Sequence, residues 1–257
     1  MNKVYMFDID GTLTPSRQRM SEKFAKFFDD WTNKNDYYLV TGSDIEKTQE
    51  QLPLAYIDRA YGIFTCCGNE YWQPDPAYND YTRPSIHPKH SDLIYSNKFK
   101  PPENLLTYLG EELRMSDYPV KAGNHIENRG SMLNFSIVGR DCTQIQREDY
   151  YRYDNLMGER KRIAKHIREQ WLKLDAVIGG QISIDIYPKG NDKSQILNII
   201  QQERLVEPDE YIFIGDKTEK GGNDYPLAQL MKKTDNCSYY QTDGPEQTQK
   251  ILEKLSD

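Results

Sequence analysis

The sequence predicts an α/β fold, a doubly wound parallel sheet whose chain is interrupted by an α+β insert. Short β-rich runs alternate with amphipathic helical segments at both ends of the chain, the pattern of parallel strands joined by crossover helices. The middle instead alternates apolar and polar residues, the period of antiparallel strands with one polar face. The length of 257 residues, against roughly 150 for a typical domain, leaves room for two compact parts.

Lys3–Phe7 reads as the first strand. Ser21–Lys34 follows as a helix, because Phe24, Phe27, Phe28 and Trp31 recur at i, i+3, i+4 and i+7 on one face. Tyr37–Val40 is the second strand, and Ser43 with Glu46 forms a capping box that opens a helix running through Leu52. Ile63–Cys67 is the third strand. Glu70–Pro102, with Pro74, Pro76, Pro84, Pro88, Pro101 and Pro102, reads as an extended linker. Beyond it Leu133, Phe135 and Ile137 alternate with Asn134 and Ser136, and Ile182, Ile184 and Ile186 alternate with Ser183, Asp185 and Tyr187. Between these strands Arg147–Leu174 is a charged helical stretch with a break near Gly158, and its Arg160-Lys161-Arg162 run is expected to be solvated. Asp192–Arg204 places Ile196, Leu197 and Ile200 on one helical face, Tyr211–Ile214 is a strand, and Pro245–Leu255 is a helix with proline in its first turn. The predicted organisation is a core of residues 1–79 and 189–257 and an inserted α+β cap of residues 80–188.

Composition narrows the function. Thirty-three basic and 40 acidic side chains leave a net charge of −7, with no long block of like charge, which argues against nucleic acid as a partner. No run approaches the ~18 apolar residues of a membrane span, and the first residues enter a strand where a signal peptide would need an apolar stretch. A cytoplasmic protein without a membrane partner is expected. The four cysteines, Cys66, Cys67, Cys142 and Cys237, and the four histidines, His87, His90, His125 and His166, show no metal-ligand spacing, so reduced thiols and ordinary histidines are expected.

Three polar clusters directly follow strands: Asp8-Ile9-Asp10-Gly11-Thr12-Leu13-Thr14, Thr41-Gly42-Ser43-Asp44 and Gly215-Asp216-Lys217. In an open parallel sheet these loops meet at the carboxyl edge, where ligands bind. Paired carboxylates and a glycine turn make a hard oxygen site for Mg²⁺, while hydroxyls, a lysine and backbone N–H groups hold phosphate oxygens. The chemistry indicated is phosphoryl transfer through an aspartyl phosphate. The residues alone do not assign nucleophile and acid between Asp8 and Asp10. In the insert, the strand period places Ser183 and Asp185 on one face and the isoleucines on the other.

Asp8–Thr12, Thr41–Asp44, Lys193 and Gly215-Asp216-Lys217-Thr218 with Gly221-Gly222-Asn223-Asp224 resemble the four motifs of the haloacid dehalogenase (HAD) superfamily. Asp10-Gly11-Thr12-Leu13-Thr14-Pro15-Ser16-Arg17-Gln18, Met132-Leu133-Asn134, Gly139-Arg140 and Gly179-Gly180-Gln181-Ile182-Ser183 resemble, more closely, the eukaryotic-type phosphomannomutase family, over nearly the whole chain. The resemblance implies a HAD-like core and a specificity cap. It implies Asp8 as nucleophile, Asp10 as general acid/base, Lys193 as the neutralising cation and Ser43 or Thr41 as a phosphoryl ligand. It further implies Mg²⁺ held by Asp8, the backbone carbonyl of Asp10 and Asp216. Arg17, Arg129, Arg140, Arg147, Ser183 and Asp185 match the family's substrate-binding residues, and arginine suits that task because its fork grips phosphate bidentately. A hexose phosphate substrate, a hexose 1,6-bisphosphate activator and a cap-mediated homodimer are implied in the same way. The chain departs from the family at Cys67-Gly68-Asn69-Glu70, at Thr41–Asp44, at Arg129-Gly130-Ser131 and at Pro226-Leu227-Ala228-Gln229, where the family's second, non-catalytic cation site is not expected. The leading expectation is a phosphomannomutase interconverting mannose 6-phosphate and mannose 1-phosphate. Its alternatives are a Mg²⁺-dependent sugar-phosphate phosphatase, which shares the intermediate, and a catalytically silent binding module.

Overall fold

In a computed structural model that describes residues 2–73, 92–204 and 207–256, the side chains of the first strand part to opposite faces of a sheet and seed two separate cores. In chain order the elements begin with β1 (Lys3–Phe7), α1 (Glu22–Thr32), β2 (Asp36–Val40), α2 (Ile45–Gln51), α3 (Leu54–Arg59), β3 (Gly62–Thr65), β4 (Glu70–Gln73) and β5 (Asp92–Ser96). There follow α4 (Glu103–Met115), β6 (Ile126–Asn128), β7 (Leu133–Phe135), α5 (Gln144–Met157), α6 (Glu159–Gln170), β8 (Leu174–Gly179) and β9 (Ser183–Pro188). After these come α7 (Gln195–Glu203), β10 (Glu210–Gly215), α8 (Tyr225–Met231), β11 (Cys237–Gln241) and α9 (Pro245–Ser256).

Two compact units result, residues 1–96 with 192–220 and 224–257, and residues 97–191 with 221–223. The first holds a seven-stranded sheet in the order β11-β10-β1-β2-β3-β4-β5. Strands β11 to β3 run parallel, and β4 and β5 add antiparallel at one edge. Tyr5 and Phe7 join Phe24, Phe28 and Trp31 of α1, Ile57 of α3 and Leu252 of α9 on one face. Val4 and Met6 join Ile196, Leu197 and Ile200 of α7 and Leu227 and Met231 of α8 on the other. This is the three-layer arrangement expected of parallel strands with helices on both sides.

The second unit packs α4, α5 and α6 on one face of a four-stranded antiparallel sheet, β6-β7-β9-β8. Leu133, Phe135, Ile182, Ile184 and Ile186 meet Leu105, Leu109, Tyr150, Ile163 and Ile167 in its core. The expected helix break is present: Gly158 ends α5 with a left-handed φ of 65° before α6 starts.

Several expectations are corrected. The stretch expected to be a linker contributes β4 and β5 at its ends, since Tyr71 stacks on Phe64 with ring centroids 4.3 Å apart and draws β4 onto the sheet. Pro74, Pro76, Pro84, Pro88, His87, His90 and the expected boundary at 79/80 lie outside the described residues. Contacts divide the chain at 96/97 and 191/192, because β5 pairs with β4. The cap of α2 is Asp44, which accepts from the Lys47 N–H at 2.9 Å, and this frees the Ser43 hydroxyl for the site described below. The third strand stops at Thr65, since Cys66 and Cys67 turn left-handed at φ 52° and 59°. Arg160 is buried: it bonds Asp154 Oδ2 at 2.7 Å and the carbonyls of Gly180 and Ser183, pinning the α5–α6 turn to the β8–β9 hairpin. Arg162 is exposed as expected and pairs with Glu112.

Candidate active site

Asp8 stands just past the end of β1, its backbone N–H donating to the Ile214 carbonyl of β10 at 3.0 Å. Strand pairing thus delivers it, buried, to the carboxyl edge of the sheet. Lys193, two residues before α7, is fully buried and donates from one ammonium to Asp8 Oδ1 and to Asp224 Oδ1, each at 2.6 Å. Asp224 Oδ2 accepts the backbone N–H of Lys217 at 3.0 Å, which ties the loop after β10 to the same cluster. Asp216 pairs with its neighbour Lys217 at 2.9 Å.

Carboxylate oxygens of Asp8, Asp216 and Asp224 lie within 4.8 Å of one another. Burial pushes the Asp8 carboxyl well above the usual carboxylate range, Lys193 opposes the shift, and Asp224 and Asp216 add to it. Burial likewise lifts Asp216 from 3.8 to about 6, with Lys217 opposing and Asp224 adding. Lys193 is held above the ordinary ammonium range despite a burial penalty that acts the other way, because Asp224 and Asp8 flank it. Hard carboxylate oxygens facing one another, with the proton affinities of Asp8 and Asp216 raised, fit a divalent cation such as Mg²⁺, which would favour the ionised forms of those two. The turn is cut to that purpose at Gly11: its φ is +83°, and a Cβ there would stand 2.6 Å from Asp216 Oδ2.

Asp10 faces a separate set of donors. Its Oδ1 accepts the Arg17 backbone N–H at 2.6 Å and Gln51 Nε2 at 2.9 Å, and its Oδ2 accepts Ser43 Oγ at 3.4 Å. Arg17 adopts a left-handed φ of 61°, so the residue expected to bind substrate also orients Asp10 through its backbone. Thr41 Oγ1 accepts the Ser43 N–H at 3.0 Å and fixes that loop. The first unit therefore gathers Asp8, Lys193 and Asp216 in one cluster, and Asp10, Ser43 and Arg17 in an adjoining hydrogen-bond set.

In the second unit the register aligns Glu127 of β6 with Asn134 of β7, and Asn134 with Asp185 of β9. Asn134 donates to Asp185 Oδ1 at 2.6 Å, and Arg140 Nη1 donates to Ser183 Oγ at 2.9 Å. Arg129 is ion-paired with Glu127, and Arg140 lies 3.5 Å from the same oxygen. The Asp185 carboxylate packs over Gly179, where a Cβ would approach Oδ2 to 2.3 Å. Arg147 is buried in the first turn of α5.

Sequence reasoning did not single out Asp224 as a member of the carboxylate group, although it ends the Gly221–Asp224 motif. Asn134 stood inside a quoted motif without a role. Gln51 and Glu127 carried no signal, because their partners lie elsewhere in the chain or are set by strand register.

The fold is of the haloacid dehalogenase-like class. Among solved structures, an IMP-nucleotidase of Plasmodium falciparum matches with a TM-score of 0.64 at 18% identity, covering 99% of this chain and 68% of that one. A sucrose-phosphatase of Synechocystis matches at 0.52 and 13% identity, covering 99% and 97%. The profile of the eukaryotic phosphomannomutase family matches residues 24–257. A phosphomannomutase of Dendrobium officinale is 32% identical over 240 residues, 88% of this chain and 84% of that protein, and one of Encephalitozoon cuniculi is 34% identical over 229 residues, 87% and 83%. The chain belongs to the eukaryotic phosphomannomutase family. The Asp8–Thr14 segment precedes the residues matched by the family profile, so its part in the site rests on the geometry above.

Proposed function

We propose that the protein is a magnesium-dependent phosphomannomutase that interconverts mannose 6-phosphate and mannose 1-phosphate, with the glucose pair as second substrates. The observation that carries this reading is the buried Lys193 bridging Asp8 and Asp224 in a chain of this family. Asp8, already carrying a phosphoryl group, gives it to a free hydroxyl of a bound hexose monophosphate: the Asp8–phosphorus bond breaks, the phosphorus–sugar oxygen bond forms, and Asp10 takes the hydroxyl proton, which yields a hexose 1,6-bisphosphate. After the bisphosphate turns round, an Asp8 oxygen attacks its other phosphorus, that phosphorus–sugar oxygen bond breaks, and Asp10 returns the proton to the leaving oxygen, which releases the isomeric monophosphate and leaves Asp8 phosphorylated. Lys193 offsets charge on Asp8 throughout, and Ser43, whose hydroxyl donates to Asp10 Oδ2, would turn that one O–H to a phosphoryl oxygen. Asp8, the Asp10 carbonyl and Asp216 would hold Mg²⁺, which would supply charge neutralisation at the phosphoryl oxygens. Asp224 keeps Lys193 in place.

A mutase must also hold the phosphate that is not reacting. Arg129, Arg140 and Arg147 are the proposed grip, with Arg17 from the core, and Ser183 and Asp185 the proposed hydroxyl contacts. The second unit then serves as the specificity cap. Cys66, Cys67, Cys142 and Cys237, none in a disulfide among the described residues, support a reducing cytoplasm as the compartment. No helix among the described residues is long and apolar enough to cross a membrane. Family membership likewise supports a homodimer, a hexose 1,6-bisphosphate activator and a product that feeds GDP-mannose synthesis.

A coupled assay on mannose 1-phosphate, with and without hexose 1,6-bisphosphate and with free phosphate followed in parallel, tests the proposal. Isomerisation well in excess of phosphate release is expected, and Arg140→Ala should shift the balance toward release. If only free phosphate appears from each hexose phosphate, the protein is a phosphatase.

A further inference from the structure

On the polar face of the second sheet, a single carboxylate oxygen serves two arginines. Glu127 Oε2 accepts from Nε of Arg129 at 3.0 Å and from its Nη2, and stands 3.5 Å from Nη2 of Arg140. The Arg129 and Arg140 side chains are 4% and 9% exposed, whereas Glu127 is 31% exposed. Neither guanidinium can lose its proton in a protein, so two of them on one buried patch repel unless an anion lies between. Glu127 is that anion, and it binds through the same fork geometry that a phosphate oxygen would use. It is also the most solvated of the three, hence the partner that gives way at least cost.

We propose that Glu127 is a built-in counter-anion that competes with the substrate's phosphate for Arg129 and Arg140, weakening the grip enough to let it open during turnover. This rests on the reading of those arginines as the phosphate grip. A bisphosphate that must exchange its two ends has to leave the grip and re-enter it, and a buried arginine pair with no internal competitor would release a dianion slowly. With Glu127 present, the incoming dianion meets a patch of net charge +1 in place of +2.

The test uses calorimetric titration of the full chain with inorganic phosphate and with mannose 6-phosphate, beside steady-state kinetics. Glu127→Gln keeps shape and removes charge; both ligands should bind roughly tenfold tighter, the scale of one charge at a partly solvated site, and KM and kcat should fall together. Glu127→Asp withdraws the carboxylate by one methylene and should tighten binding about threefold; it decides the matter should the glutamine variant not fold. Unaltered or weaker binding in these variants overturns the proposal, since a glutamate that merely props the arginines would lose affinity when removed. Arg140→Ala separates the two levels of the argument. If it leaves phosphate affinity unchanged, the arginine grip itself is refuted; if it weakens binding while the Glu127 variants do not tighten it, the counter-anion role alone fails.

Discussion

Lys193→Met probes the charge balance on which the site is built. The ammonium is fully buried and lies 2.6 Å from both Asp8 Oδ1 and Asp224 Oδ1. Methionine fills similar space without charge, leaving the carboxylates of Asp8, Asp216 and Asp224 facing one another with their central cation gone. Removing one partner of a buried pair costs about 3–5 kcal/mol, because the surviving charge is uncompensated. Asp8, already raised by burial, can relieve part of this by taking a proton, so the smaller loss belongs to acidic buffer and the larger to alkaline. At about 2–4 °C per kcal/mol for a domain of this size, the melting temperature should fall by roughly 6–20 °C. The assay is a thermal melt in EDTA, which keeps divalent cations from masking the effect. The double variant Lys193→Met/Asp224→Asn removes one of the opposed charges and should recover part of the lost stability while remaining inactive. A melting temperature for Lys193→Met within about 2 °C of the unaltered protein, or a double variant no more stable than the single, would refute the reasoning.

The remaining predictions concern the same edge of the sheet. Asp8→Asn should abolish turnover, and Asp10→Asn should slow it by roughly 10²–10⁴-fold, as measured by the coupled assay; near-full activity in either ends the proposed roles. Gln51→Leu removes the 2.9 Å hydrogen bond to Asp10 Oδ1 and should lower kcat roughly tenfold to a hundredfold with little change in KM, whereas a purely structural Gln51 would lower melting temperature and leave kcat intact. Burial lifts the Asp216 carboxyl from an ordinary 3.8 to about 6. A carboxyl raised on folding gives stability that is complete below its unfolded value and lost as pH climbs through its folded value. Mg²⁺ binds the ionised forms, so its thermal stabilisation should be larger at pH 8 than at pH 5, and a larger effect at pH 5 contradicts the carboxylate assignment.

What the sequence made legible follows from the range of the forces involved. Helices α1, α7 and α9 and strands β1, β2 and β10 declare themselves because their apolar spacing is local and marks one buried face: Phe24, Phe28 and Trp31 can only face a sheet. The split of the middle segment at Gly158 was readable for the same reason, since a left-handed end is a property of one residue and its neighbours. The antiparallel strands β4 and β5 at one end of the sheet were hidden, because proline-rich composition outweighs a four-residue strand such as β4, whose pairing is set by a stacked Tyr71. Arg160 was misjudged on sequence grounds that hold for most charge runs, and what reverses them, Asp154 and two backbone carbonyls, is brought near only by the α5–α6 turn.

The site divides along the same line. The proposed reacting residues Asp8, Asp10 and Asp216 occupy loops directly after β1 and β10, so motif and strand end coincide there, whereas Lys193, ahead of α7, is picked out by the family resemblance. Residues that aim those groups have no such anchor. Gln51 reaches Asp10 from the last turn of α2, and Glu127 meets Arg140 because β6 pairs with β7 in one register; a slip by one residue would turn it to the apolar face. Catalytic identity is thus written in short range, and catalytic geometry in the packing of segments far apart in the chain. That is why the variants that discriminate most sharply here, Gln51→Leu and Glu127→Gln, alter residues that no motif would have chosen.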